Sequence, residues 1–343
     1  LLIEESRTNL ITQSGDASSW PNANGTVTNN GSTTAPDGSS NGFLGGIGTA
    51  SLITPATSSV TGLHTASVFL KRNNTDWARV QVAQGSFAHA VNFWVNLATG
   101  AAGTLAVAVG TPTSLSAQVT PFGNSWYRVS ITASYPATAL LALTIISATA
   151  NNSTTRVSGS VYEIWGGQVE AGSFPTSYIP TVASTVVRSA DVCSITGSDF
   201  TGMYNQSEGT FFAAADPRAA TSSATYLMAN SGNNTNQVSI FRNTTTSTFG
   251  VANSGSYTAQ PTAASANGSF NKIAGSYFTN DARAAFNGAL GTADTSVTVP
   301  TNLNRLNIGS AATASTEFAN GCISSIRYYR KRLSNAKLQA LTT

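Results

Sequence analysis

Ala90-Val91-Asn92-Phe93-Trp94-Val95-Asn96-Leu97 decides the fold class. Val91, Phe93, Val95 and Leu97 are apolar, while Asn92, Trp94 and Asn96 fall between them. Strand side chains alternate between faces, so this period of two describes a half-buried β-strand with one core face. Working outward, the same period recurs in Ala66-Ser67-Val68-Phe69-Leu70, in Trp126 to Thr132, in Gly209 to Ala215 and in Val238 to Arg242. Clusters of Gly, Asn, Ser and Pro separate the runs. Short alternating runs between turn clusters predict an all-β sandwich or barrel. Helical periodicity is nearly absent. The exception is a short C-terminal helix, where Ser334 suits an N-cap and Leu338 and Leu341 supply one apolar face.

The 343 residues suffice for two domains. Charged residues make up 9%, against about 25% in an ordinary soluble domain. With 41% hydrophobic residues, the chain is not of the charged, apolar-poor kind that stays disordered. A hydroxyl- and amide-rich surface suits strands, turns and extracellular or particle-bound life, and argues against a cytoplasmic housekeeping enzyme. The net charge of +3 and the lack of a long basic run before the C-terminus exclude nucleic acid as an expected partner. No apolar run reaches the roughly 18 residues of a membrane helix, so membrane insertion is not expected. Leu1-Leu2-Ile3 reads as the continuation of something upstream. Cys193 and Cys322 lie outside any CxxC motif. Free thiols are the ordinary reading, with a disulfide as the alternative.

A break falls near 171–192. Residues 171–190 carry Pro175 and Pro180 and read as an extended connector, because proline fixes φ and removes a donor. The chain before Asp191 is electrically neutral, and the positive excess lies after it.

Leu2-Ile3-Glu4-Glu5-Ser6-Arg7-Thr8-Asn9-Leu10 resembles an opening found in bacteriophage structural proteins. Trp165-Gly166-Gly167-Gln168-Val169-Glu170-Ala171-Gly172, then Phe174-Pro175-Thr176-Ser177-Tyr178-Ile179-Pro180-Thr181, resembles a second segment of that family. Arg188-Ser189-Ala190-Asp191 is similar to the link that follows it. Gln206 to Phe212 resembles the first strand of a concanavalin A-like, laminin-G-like domain, and Asn320 to Leu338 its end. The resemblance implies two tandem jelly-roll β-sandwich domains. A carbohydrate-binding-module-like jelly roll would span 1–185, and a concanavalin A-like sandwich 191–343. It further implies a virion protein whose partners are other virion proteins.

Enzymatic readings find little support. Glycoside hydrolysis needs two carboxylates about 5–10 Å apart, and no such cluster stands out. Glu4 and Glu5 are adjacent and would face opposite ways on a strand. His64 and His89 have no neighbouring carboxylate or Cys in a triad or ligand pattern. Gly42 to Gly48 lacks the Lys-Ser/Thr of a phosphate loop and reads as strand or turn. Neither a metal, a cofactor nor a catalytic residue is expected.

Binding readings are richer. On alternation, Trp77, Arg79 and Gln81 oppose an apolar face, as do Asn92, Trp94 and Asn96, and Trp126 and Arg128. A face mixing Trp with amides and guanidinium has the chemistry of a carbohydrate-binding groove. The alternative is packing under loops or against another subunit. Arg327, Arg330, Lys331 and Arg332 form a candidate basic patch for acidic glycans or DNA, or a wet strand edge where cations block pairing.

The expected function is a non-enzymatic structural and adhesive virion component, a tail-fibre or head-fibre subunit binding host-surface polysaccharide. The alternatives are a capsid-decorating protein and a polysaccharide depolymerase. A homotrimer is the expected assembly. The first and last strands of the second domain should lie side by side, with Cys193 and Cys322 in one region.

Overall fold

The computed structural model describes all residues except 24–26, 31–32, 40–41, 46–50, 218–222, 265–269 and 313–316. The chain is mostly β and divides into two compact units, one of Arg7–Arg188 and one of Leu1–Ser6 with Ser189–Thr343.

Two long strands organise the first unit, Ser51–Arg72 and Trp126–Ala148. They pair antiparallel along most of their length, with register shifts near Tyr135 to Ala142. Gly62 sits opposite Tyr135 at φ +79°, a backbone region that glycine enters without strain. Here both strands pass from one layer of the sandwich to the other, as strands do at bulges. One half of the hairpin is flanked by Thr113–Pro121 and Tyr162–Ala171. The other half continues through Trp77–Gln84, His89–Asn96 and Ala102–Val109. The inner faces meet in one core. Val91, Phe93, Val95 and Leu97 lie in it with Val80, Val82, Val129, Ile131 and Leu143, as the alternation predicts.

The second unit is a sandwich of two sheets. One runs Leu2–Ile3, Gly321–Tyr329, Glu208–Pro217, Asn271–Phe278, Asp281–Phe286 and Ala289–Leu290. The other contains Ser194–Thr196, Arg305–Ile308, Ala224–Asn230, Gln237–Arg242 and Thr246–Asn253. Glu208–Pro217 pairs with Gly321–Tyr329, so the expected first and last strands are neighbours. Cys322 pairs with Leu2, and Glu4 exchanges hydrogen bonds with Asp191, two residues before Cys193. Both cysteines therefore flank the N-terminal strand, and no disulfide joins them.

Three expectations are corrected. Residues 1–6 belong with the C-terminal unit, because Leu2–Ile3 adds a strand to Gly321–Tyr329 and Ile3 is buried in its core. The segment 171–190, expected as an extended connector, belongs largely to the first unit. Up to Arg188 it is tied to the first unit, and Val186–Arg188 pairs with Arg7–Asn9. A second helix, Gly197–Met203, buries Phe200 against the core. Seven residues give a periodicity signal too short to read. The C-terminal helix Asn335–Thr342 is capped by Ser334, and Leu338 is fully buried with Phe212 and Ala274. Gly42–Gly45 is a strand, while Gly46 to Gly48 lie outside the described residues.

Candidate functional site

Six of the eight candidate sugar contacts share one outer face of the first unit. Register places Trp77 opposite Asn96, Arg79 opposite Trp94 and Gln81 opposite Asn92. Trp126 and Arg128 belong to the other layer, opposite Lys71 and Phe69. The eight residues are therefore not one platform.

Two of the three tryptophans have no free ring face. Trp94 is 3% exposed, and its Nε1 donates to the Ser153 carbonyl at 2.8 Å. The loop 149–157 holds that carbonyl in place. Trp126 is 1% exposed, donates to the Thr34 carbonyl at 3.0 Å and packs with Phe69 and Trp165. Arg128 donates to the Thr176 carbonyl and to Ser67 Oγ and lies over the Phe69 ring. Alternation identifies the face a residue points to; it carries no information about a loop folded over that face.

What remains beside Trp94 is polar and partly open. Trp77, Gln81 and Asn96 are half-buried. Gln81 Nε2 donates to Asn92 Oδ1 at 2.8 Å, and Asn96 Oδ1 accepts from the turn amides of Ala98 and Thr99. Arg79 differs from its neighbours. Only 9% of it is exposed, and it makes no hydrogen bond or ion pair with any described residue. Burial, and then the like charge of Arg156, pull its pKa below the ordinary arginine value. A nearly buried guanidinium without an acceptor leaves its donors unmet, an arrangement that costs stability unless something else accepts from them. Arg156 escaped the sequence reading because it lies in the irregular loop rather than on a strand.

The residues carrying the family-like segments build a different feature. Residues 173–181 lie over the outer face of the other layer. Glu170 is fully buried and accepts from Gln168 Nε2 at 2.6 Å, Thr176 N at 2.9 Å and Thr176 Oγ1 at 2.7 Å. Gln168 Oε1 accepts from the Ile179 amide. Asn9 Nδ2 donates to the carbonyls of Gly167 and Ile179, while its Oδ1 accepts from Ile11 and Val169. Ser14 Oγ and Tyr178 Oη are 2.7 Å apart. Burial pushes the Tyr178 hydroxyl up to about 12. These polar residues are spent on one another, which makes the segment a strap holding backbone that no ladder satisfies.

The basic run is not one patch. The strand ends at Tyr329, so alternation does not extend through Arg332. Arg332 pairs with Asp281 at 2.8 Å, and its amide donates to Glu208. Arg330 donates to the Gly202 carbonyl. Lys331 is exposed, and Arg327 is exposed over the Phe212 ring. Tyr328 turns inward against Tyr204 and Phe211.

The sequence's other reactive groups are held in structural roles. Glu5 and Asn320 hydrogen-bond each other, His89 Nδ1 accepts from the Thr111 amide, and His64 lies near the Gly62 carbonyl. Among the described residues no three His, Cys, Asp or Glu side chains cluster to hold a metal, and no helix is long and apolar enough to cross a membrane. Cavities of about 290 and 400 Å³ lie in the second unit, the first beside the exposed Tyr257 with Gln260 and Asp294.

Residues 193–339 match a laminin-G family model described as the concanavalin A-like lectin/glucanases superfamily. No curated protein matches the chain. Among solved structures, the CBM40 module of Ruminococcus gnavus IT-sialidase bound to α2,3-sialyllactose is 18% identical, covering 40% of this chain and 83% of its own at a TM-score of 0.36. The Streptococcus pneumoniae NanB sialidase is 13% identical, over 44% of this chain and 27% of its own at 0.37. Mouse laminin α1 domains LG4-5 are 10% identical, over 81% and 85% at 0.30.

Proposed function

We propose that the protein is a non-enzymatic glycan-binding protein, and that the outer face around Arg79 in the first unit contacts the glycan. The observation that carries the reading is Arg79, a nearly buried cation with no acceptor of its own, set in a row of amides beside the half-open Trp77. Sugar hydroxyls and carboxylates are the acceptors such a face lacks, and an indole edge covers apolar ring carbons. The lectin-like family match of the second unit supports the same class of function. The sequence resemblance to bacteriophage structural proteins supports a place on a virion appendage, where many copies add to attachment.

Arg79→Met tests the site. Methionine keeps the aliphatic packing and removes the charge. On a glycan array, wild type should retain host-type polysaccharides and the variant should lose them, while its melting temperature holds or rises. Equal binding by both proteins overturns the assignment. Gold-labelled antibody against the chain should mark fibre tips in negative stain; label confined to the shell would favour a capsid decoration.

A further inference from the structure

A second surface has a different chemistry. On the outer face of the Gly321–Tyr329 sheet, register aligns Lys272, Ala214 and Ser325 across three adjacent strands. The next row is Ala274, Phe212 and Arg327. Leu338 of the C-terminal helix covers Ala274 and part of Phe212. The helix end, with Ala340 and Leu341, lines a groove of about 400 Å³ together with Ser325 and Arg327. Small Ala214 forms its floor, and Lys272 and Arg327 stand on either side. Two inter-strand spacings and a two-residue offset along the strands separate their backbones, roughly 12 Å, a span that the two long side chains cover above Ala214.

The charged side chains that line this groove are both cationic. No carboxylate side chain lines it. Arg327 has no ion pair with any described residue and rests on the Phe212 ring, its centroid 5.6 Å away. Lys272 Nζ donates once, to the main-chain oxygen of Thr343 at 2.7 Å. An ammonium has three donors, so two remain. The exposed Phe270 ring, 48% accessible, stands at the same groove.

We infer that this groove is a second glycan site, selective for a sugar carrying a carboxylate. The carboxylate sits between Lys272 and Arg327, Ser325 bonds a ring hydroxyl, and Phe270 covers the apolar ring face. A lone phosphate would use the cations and leave the aromatic ring idle. Duplex nucleic acid would need a longer cationic track than two residues, because phosphate contacts set its affinity. The site shares no residue with the Arg79 face, and it rests on the glycan-binding reading only for the class of its ligand.

The test is calorimetry on the full chain carrying Arg79→Met, so that only this groove is read. The probe is a galacturonate tetrasaccharide, with a neutral galactose oligomer and a short DNA duplex as comparisons. The acidic oligomer should bind. Arg327→Ala and Lys272→Ala should each weaken it at least tenfold, and half-molar salt should abolish it. The neutral oligomer and the duplex should not bind. Arg327 is exposed, so its truncation leaves folding intact, which tyrosine circular dichroism checks. The inference is overturned if the acidic oligomer does not bind. It is equally overturned if both alanine variants bind it like the parent, or if the duplex competes for the same residues.

Discussion

Glu170→Ala should break the strap of the first unit, while Glu170→Gln should leave it standing. The carboxylate accepts three hydrogen bonds in a site with no exposure. Alanine leaves the Thr176 amide and hydroxyl without that acceptor, and Gln168 retains only a 3.5 Å contact with the Ser177 carbonyl. An unsatisfied buried donor costs roughly 1–3 kcal/mol. Two of them give a loss of about 4 kcal/mol, or roughly 8–16 °C in melting temperature for a domain of this size. Glutamine keeps a carbonyl for the amide and can turn its NH2 toward the Thr176 hydroxyl, which also accepts; its cost should stay within about 1 kcal/mol.

The same site predicts a pH dependence. Burial raises the Glu170 carboxyl above its ordinary 4.5, and the hydrogen bonds from Thr176 and Gln168 only partly offset this. A folded-state pKa above the unfolded one means that the folded form holds the proton more tightly. Its contribution is then complete below the unfolded pKa and is lost as pH rises through the folded pKa. Wild type should lose stability over that window, and the Gln variant should lack the slope. All five tryptophans lie within Arg7–Arg188, so fluorescence-monitored denaturation reads this unit alone. A loss below about 1 kcal/mol for the Ala variant, or an equal loss for Gln, would refute the account of a satisfied buried network.

Trp94→Ala should lower first-unit stability by about 3–5 kcal/mol, the range for truncating a buried Trp, and a melting temperature within about 2 °C of wild type would return the ring to the surface. Gly309→Ala should destabilise the second unit by about 2–4 kcal/mol, from the left-handed backbone and overpacking together, since φ is +77° and a Cβ would come within 2.6 Å of Ile3. Tyrosine circular dichroism should shift in that variant while tryptophan fluorescence does not, and unchanged tyrosine melting would count against the docked strand. Thiol titration of the unfolded, unreduced protein should find both Cys193 and Cys322 reactive; none reactive would mean a disulfide. Sedimentation should give a trimer, and monomer alone at micromolar concentration would remove that assembly.

The strands were legible because one residue in two meets the core, and Val91, Phe93, Val95 and Leu97 mark that face without help from distant sequence. Ser334 with Leu338 and Leu341 announced a helix by the same local logic. What covers the other face depends on loops that carry no period. Trp94 and Arg79 occupy opposite positions on adjacent strands, yet a loop carbonyl claims the indole and leaves the guanidinium unmet. The segment with Pro175 and Pro180 reads as a linker by composition, but its buried partners Glu170 and Gln168 precede it in a different element. The N-terminal strand could not be placed from sequence, because two residues, Leu2 and Ile3, hold too little pattern to name a partner at the far end of the chain.

That strand sets an order of folding. Leu1 and Ile323 hydrogen-bond across 322 positions of sequence, so during synthesis the first strand has no partner until the last one has left the ribosome. The described strands of residues 7–188 pair only with one another, so that unit can close in the meantime. When Arg7–Asn9 pairs with Val186–Arg188, the chain ends entering and leaving that unit are brought together. The remaining closure then spans residues 189–322 instead of the whole chain. Since loop entropy grows as the logarithm of length, this saves roughly 0.8 kcal/mol. The larger effect is kinetic: the early domain acts as a staple that delivers residues 1–6 to the start of the late one, and a defect in the first should slow the maturation of the second.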